Sequence, residues 1–351
     1  MIVDAAVHPL MGDDEYRQRL PSPWRNQQPV LPAPFGKLFE APFPEIADLA
    51  AAESPAAIAE TLFGPAGVDA AVLTPLTRGL LHNPQQAAAV ATATNEWLYE
   101  RWLDGGRHPR LFGAIRLAVE DAHAAVREIE RWAEEPSFVQ VAVPLRAFAP
   151  YGDERYFPIW EAAAEHGLPV YVQDDLSIAV EHPHSPVGQP LYFAENDALR
   201  TMSCIVHLAS LITSDIHSRL PGQHFLFGDG GSDMAMPLLW RLDSDWRNGR
   251  SEVPWLDEPP SVIAGRFGRF VSQAQDGTAD GSNRAPELAR ISRVEERMIY
   301  GSHRPYWDEV EVEALAGGWD EGRRARVLGG NALDALPRLA RLLEPARRNP
   351  L

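Results

Sequence analysis

The residues best suited to chemistry in this sequence are His8, Asp229 and His303, each of which ends or directly follows a short apolar run. Two imidazoles and one carboxylate form a ligand set that suits zinc or non-haem iron. An ion held there would activate water as a Lewis acid, or bind oxygen if it were iron. The sequence therefore predicts His8, Asp229 and His303 as ligands of one divalent metal (zinc, iron or manganese), with Asp229 and His303 as the catalytic residues.

Gln173, Arg304 and Tyr306 are the candidate substrate-binding residues. Gln173 ends an apolar run, and the other two follow His303 directly in the segment GSHRPYWD. The guanidinium of Arg304 and the hydroxyl of Tyr306 suit a carboxylate substrate. A metal-free site also stays open, in which these two groups bind the substrate while His303 and Asp229 move protons.

The elements that must position these residues read as a β/α series. Short apolar runs alternate with longer helical patterns, which is typical of parallel strands joined by helices. Seven runs predict strands (1–7, 67–75, 110–118, 137–144, 168–173, 224–229 and 297–302), and the eighth is expected within 269–275. In such a barrel the site lies at the carboxyl ends of the strands. We predict the α/β class, with one (β/α)8 TIM barrel spanning 1–351 and long proline-rich loop insertions at 20–44 and 247–290.

Composition narrows the possible partners and surroundings. A net charge of −17 argues against nucleic acid and anionic membrane as partners. The single cysteine, Cys204, forms no disulfide within the chain, fits a reducing compartment, and lies in a segment that reads as a buried helix. No apolar run reaches transmembrane length and no signal peptide is evident, so a cytoplasmic protein is expected.

Five segments carry a family resemblance. They are VDAAVHP from Val3, HGLPVYVQDD from His166, LFGDGGSDMAMPLLWRLDSDW from Leu226, RMIYGSHRPYWD from Arg297, and LGGNA from Leu328. In this order they resemble the amidohydrolase-related ("amidohydrolase 2") family, a group of metal-dependent TIM-barrel hydrolases, decarboxylases and hydratases. The resemblance covers nearly the whole chain and implies a mononuclear metal site at the barrel mouth.

The same resemblance marks where this sequence departs from the family. Strand one of the family usually carries two ligands, two residues apart and therefore on one face. Here that pair is Ala6 and His8, and alanine has no donor atom. Gln173 stands where the family usually has histidine, and His303 where it has an acid. Asp229 replaces histidine or glutamate, so only His8 keeps its usual type.

Three functions remain open from the sequence. The first is a scaffold subunit with a degenerate metal site, paired with a homologous amidohydrolase-like chain or with itself. It resembles the degenerate partner of heteromeric metal-dependent oxygenases that act on a small carboxylic or amino acid, and would itself hold no cofactor. The second is an atypical hydrolase or decarboxylase using His8, Asp229 and His303. The third is a metal-free enzyme or binding protein with a small-molecule ligand.

Overall fold

Eight parallel strands lie side by side in chain order in this computed structural model, which describes residues 1–26, 54–77, 80–104, 108–175, 187–188, 190–230, 232–273, 296–305, 309–316 and 319–348. Hydrogen bonds from Ala5 N–H to Tyr300 O and from His303 N–H to Ala6 O, both 2.9 Å, join the last strand to the first. The predicted (β/α)8 barrel is confirmed. The strands are β1 Val3–Val7, β2 Ala70–Leu73, β3 Leu111–Arg116, β4 Phe138–Pro144, β5 Val170–Gln173, β6 Phe225–Phe227, β7 Gly268–Val271 and β8 Met298–Ile299.

Helices connect the strands and surround them. In chain order they are α1 Asp13–Arg19, α2 Pro55–Phe63, α3 Pro84–Leu98, α4 Ala122–Trp132, α5 Phe157–Glu165, α6 Phe193–Thr213, α7 Ile216–Arg219, α8 Ser232–Gly249, α9 Pro260–Phe267, α10 Val312–Ala316, α11 Glu321–Ala325, α12 Asn331–Ala335 and α13 Pro337–Arg348. Short 3₁₀ turns at Trp24–Asn26 and Glu154–Tyr156 and π-turns at Tyr99–Leu103 and Arg326–Gly330 complete them. Within the described residues, no helix is both long and apolar enough to cross a membrane.

Local sequence explains where several of these helices begin. Ser54, Asn83 and Asp121 accept hydrogen bonds from backbone N–H groups of the first turns of α2, α3 and α4. Side-chain acceptors at this position satisfy amide groups that have no partner within the helix. Proline opens both α2 and α3, where its missing N–H costs nothing. These caps fix the entry of the chain into each helix after a strand or loop.

The core has two layers. One lies between the strands and the outer helices, and it contains large buried side chains such as Trp97, Trp102 and Trp160. The other fills the barrel and continues into α12 and α13. Arg338 of α13 donates hydrogen bonds to the carbonyls of Ala133 and His166, which precede β4 and β5, and of Phe138, the first residue of β4. The last helix therefore closes the end of the barrel opposite the expected site.

One predicted loop insertion is partly wrong. The range 247–290 contains α9 and β7, so Pro260–Val271 is regular structure. The prolines of that stretch favoured a loop, but proline is well tolerated in the first turn of a helix, and Pro260 lies there. Asp243 of α8 anchors the turn by accepting hydrogen bonds from the N–H and hydroxyl of Ser261. Residues 274–290, and 27–44 of the first insertion, lie outside the described residues.

Candidate functional site

His8 and His303 meet at the carboxyl ends of β1 and β8. Nε2 of His8 lies 3.1 Å from Nδ1 of His303, and both side chains are buried. The backbone places them there because His303 N–H donates to Ala6 O and His8 N–H donates to Arg304 O. His303 has a φ of 56°, in the left-handed region that few residues other than glycine adopt. The turn after β8 thus directs the ring of His303 back across the barrel mouth.

The outer nitrogens of this histidine pair are also hydrogen-bonded. Nδ1 of His8 lies 2.9 Å from the hydroxyl of Thr74 and 3.0 Å from its carbonyl. Nε2 of His303 lies 2.8 Å from Ser272 O and 3.0 Å from Nε2 of Gln273, which itself donates to Gly228 O. The chain of contacts therefore runs through the ends of β2, β1, β8, β7 and β6. Both rings are held by protein groups on both nitrogens.

Asp229 does not join the histidine pair. Its carboxylate accepts a hydrogen bond from Asp174 N–H and lies 3.5 Å from Nη1 of Arg200. Among the described residues, no group of three or more His, Cys, Asp and Glu side chains is arranged to hold one ion. A protein zinc site uses at least three such ligands. In this structure an arginine and a backbone amide engage the carboxylate of Asp229, so His8, Asp229 and His303 do not form such a group, and their role as metal ligands stays a prediction.

Ala6 offers no ligand atom on strand one, where the resembled family carries a second ligand. The side chain is fully buried, and a β-carbon built on Gly301 of the neighbouring turn would lie 2.8 Å from Cβ of Ala6. Such an approach is too close for two carbon atoms, so position 301 requires glycine. The residues present do not fit the family's mononuclear ion.

The predicted substrate-binding residues are engaged in different ways. Gln173 is buried, and its amide donates to Pro75 O at 3.0 Å, while its Oε1 has no hydrogen-bond partner among the described residues. The guanidinium of Arg304 lies 2.5 Å from Glu311 and 3.3 Å from Glu309. The guanidinium expected to bind a substrate carboxylate is therefore already paired with two carboxylates of the chain itself. Tyr306 lies outside the described residues.

A buried ion pair between Arg116 and Asp175 is the polar feature that sequence reasoning missed. Nη2 of Arg116, at the end of β3, contacts Oδ2 of Asp175, two residues after β5, and both side chains are only 3% exposed. Arg146 lies 3.6 Å from Asp174, so that carboxylate also has a cationic neighbour. No local signal links Arg116 to a residue 59 positions later.

His207 of α6 is hydrogen-bonded to the backbone on both ring nitrogens. Its Nε2 lies 2.7 Å from Leu145 O, its Nδ1 accepts from Tyr151 N–H, and its ring stacks on that of Tyr151. Cys204 of the same helix is buried, as expected, and burial raises the pKa of its thiol. Burial also lowers the pKa of His207 to about 4, against the opposing effect of the Leu145 carbonyl. Both residues therefore belong to the packing of α6 against the barrel.

Burial and the neighbouring charge of His303 lower the pKa of His8 to about 3. Both His8 and His207 are therefore neutral in the folded chain, whereas an unfolded histidine takes up a proton below about pH 6.5. Their contribution to stability is fully present above pH 6.5 and is lost as the pH falls towards 4. Asp175 opposes this trend, because burial raises its pKa to about 6 and so favours the folded chain as the pH falls.

We expect the pH dependence of unfolding to change in a His207→Gln variant. For wild type, the neutral His207 accounts for a loss of about 2 kcal/mol between pH 7 and pH 5. Glutamine cannot titrate, so this part of the decrease should disappear even though the variant is less stable at pH 7. Urea unfolding at the two pH values measures the difference. If the free energy of unfolding falls equally between pH 7 and pH 5 in both proteins, His207 is protonated or exposed in the folded chain.

The comparisons with known proteins agree with the fold. A family model for amidohydrolases, Amidohydro_2, matches residues 51–338. The chain belongs to this amidohydrolase family. A search of curated protein sequences found no match.

Solved structures of the same architecture cover nearly the whole chain. An amidohydrolase from Mycobacterium avium subsp. paratuberculosis has a TM-score of 0.71 at 19% identity, covering 95% of this chain and 98% of its own. A 5-carboxyvanillate decarboxylase from Sphingomonas paucimobilis gives 0.69 at 18%, covering 96% and 99%. A dihydroxybenzoic acid decarboxylase from Polaromonas, solved with manganese and 2-nitroresorcinol, gives 0.68 at 17%, covering 98% and 100%. Identities this low establish the shared fold alone.

Proposed function

We propose that this chain is a scaffold subunit of the amidohydrolase family that pairs with a homologous, metal-holding subunit. The observation that carries the proposal is the contact between His8 and His303. Their facing nitrogens are 3.1 Å apart, and their outer nitrogens form hydrogen bonds with Thr74 and Ser272. The hydrogen-bonded chain joins strand ends that one metal ion would otherwise connect. A barrel can keep its shape this way without a metal.

The donor chemistry around the pair supports the same proposal. Ala6 offers no donor, Gln173 offers a weak amide oxygen, and Asp229 lies against Arg200. The atypical hydrolase or decarboxylase built on His8, Asp229 and His303 would require Asp229 to leave Arg200. The scaffold proposal requires no rearrangement.

For the proposed complex, we infer the chemical class of the substrate. The solved relatives include decarboxylases named for carboxyvanillate and dihydroxybenzoic acid, which are small aromatic carboxylic acids. We therefore assign a small carboxylic acid to the active partner. These relatives give no support to the hydroxylase alternative. In this assignment the chain contributes contact surface and stability to the complex.

Metal content per chain tests the proposal. Inductively coupled plasma mass spectrometry of the lone chain should give far less than one zinc, iron or manganese per chain. After co-expression with any amidohydrolase-like chain encoded beside it, a co-purifying complex should carry about one ion per heterodimer. A His8→Ala/His303→Ala double variant of this chain should leave the metal content of the complex unchanged. Close to one ion on the lone chain, lost in the double variant, would overturn the proposal in favour of an atypical metalloenzyme.

A further inference from the structure

Helix α6 has a long stretch without charge on the outside of the barrel. From Thr201 to Ser214 the sequence has no Asp, Glu, Lys or Arg, although 23% of the chain is charged. The histidine of this stretch, His207, is buried, and burial lowers its pKa to about 4. Two other outer helices, α4 and α8, expose charged side chains, namely Arg127, Glu130, Arg131, Arg241, Asp245 and Arg247. The solvent side of α6 therefore differs in kind from theirs.

Four apolar side chains form this solvent side, which we call the α6 face: Met202, Ile205, Val206 and Ala209. Spacings of three and four residues place them on one side of the helix. Val206 is 50% exposed, and the other three are partly exposed. The buried side of the same helix is apolar as well, with Cys204, Leu208, Leu211 and Ile212. An amphipathic surface helix needs only one apolar side, so a second one indicates a partner.

Trp255 extends the apolar surface at the carboxyl end of α6. Its Nε1 donates a hydrogen bond to Thr213 O at 2.8 Å, and its side chain is 45% exposed. Because the indole N–H is already satisfied within the chain, the exposed part of the ring is apolar. Exposed tryptophans of this kind are common anchors of protein interfaces. The surface thus has a large ring at one end of α6 and the flexible side chain of Met202 towards the other.

We propose that the α6 face packs against the same face of a second copy of this chain, across a twofold axis near Val206. Each copy has a net charge of −17, so two copies repel unless their contact is free of charge. A twofold axis also brings every nearby group against its own copy, and a charge there would meet a like charge. The α6 face meets both conditions. A basic partner, in contrast, would find no carboxylate on it.

The twofold axis fixes the direction of the two helices. They run antiparallel, so the positive amino end of each α6 lies beside the negative carboxyl end of the other. The ring of Trp255 in one copy then covers Met202 of the second copy, and the reverse contact is identical. The pairing uses the outside of the barrel, whereas His8 and His303 lie in its mouth. It therefore does not depend on the scaffold proposal, and failure of either leaves the other standing.

Sedimentation equilibrium of the full chain, purified alone, tests the proposal. Wild type should be a dimer at micromolar concentration. Val206→Arg should raise the dissociation constant at least about tenfold, because two guanidinium groups then meet at the axis. The added positive charge weakens the overall repulsion between the acidic copies, so it cannot itself cause the loss. Leu342→Arg makes the same change at a 41% exposed position of α13 and should leave the dissociation constant unchanged. A monomeric wild type, or equal weakening in both variants, would overturn the proposal.

Two further measurements separate this contact from other modes of dimerisation. Raising the salt concentration should tighten the wild-type dimer, because salt screens the repulsion between the acidic copies and an uncharged contact loses nothing. A dimer that weakens in salt would depend on ion pairs and so contradict the proposal.

Val206→Cys tests the symmetry of the contact. Only pairing of the α6 face with itself brings the two copies of position 206 together, so oxidation should give a covalent dimer. Leu342→Cys should stay free of this cross-link under the same conditions. Val206→Cys that dimerises without cross-linking would mean that the two copies use different surfaces, and the proposal would be wrong. This substitution adds no charge, so it also serves if Val206→Arg fails to fold.

Discussion

Replacing Arg116 by methionine should lower the free energy of unfolding by about 3–5 kcal/mol, because it removes one member of a fully buried ion pair. Both side chains are 3% exposed, so the remaining carboxylate of Asp175 cannot gain full hydration. Burial already raises the pKa of Asp175 to about 6, in spite of Arg116. Without the guanidinium that pKa rises further, and the carboxyl group takes up a proton. Urea unfolding at pH 7 measures the loss.

Two companion variants separate the buried charge from general damage at this position. In Arg116→Met/Asp175→Leu both charges are gone, and most of the stability should return, because apolar replacements of a buried pair are often neutral. Arg323→Met breaks a surface ion pair in which the side chains of Arg323 and Asp320 are 40% and 64% exposed. It should lower the free energy of unfolding by less than about 1 kcal/mol. A loss below 1 kcal/mol in Arg116→Met itself would show that solvent reaches Asp175.

The sequence predicts the barrel well because strands and helices have local signals. The apolar run at 137–144 becomes the fully buried strand Phe138–Pro144. The strand expected within 269–275 appears at Gly268–Val271, where it is the seventh in chain order. The helix that precedes it, α9, was not predicted, because proline served as a loop signal although Pro260 occupies the first turn of that helix. Composition alone does not separate the two uses of proline.

The arrangement of the site could not be predicted in the same way. The barrel places strand ends together, so the sequence correctly brings His8 and His303 to one mouth. It does not indicate what each side chain contacts, since those partners come from distant segments. Asp229 has a ligand's chemistry, yet Arg200 of the preceding helix lies against it. The Arg116–Asp175 pair joins residues whose charges looked unrelated in sequence. Family resemblance identified the changed positions but not the hydrogen bonds that His8 and His303 make.

Replacing His303 by valine should cost about 3 kcal/mol or more and should change no metal content. Valine leaves His8 and Ser272 O without their buried partner, and each such loss costs about 1–3 kcal/mol. It also forces a β-branched residue into a φ of 56°, which L-residues avoid. His303→Asn should cost less, because asparagine tolerates this backbone and can keep one hydrogen bond. Thermal and urea unfolding of both variants measure the difference.

The chelator EDTA makes this prediction diagnostic for the role of the histidine pair. If the hydrogen bonds between His8, His303 and their neighbours hold the strand ends, EDTA leaves the melting temperature of the wild-type chain unchanged. The two variants then differ from wild type by the same amounts with and without EDTA. If the pair instead ligates a metal, EDTA lowers the wild-type melting temperature, because a metal that binds only the folded chain stabilises it and EDTA takes that stabilisation away. The valine and asparagine variants at position 303 would then both be insensitive to EDTA, because both lack the imidazole ligand, and they would differ from each other only through the backbone conformation and hydrogen bonds at that position.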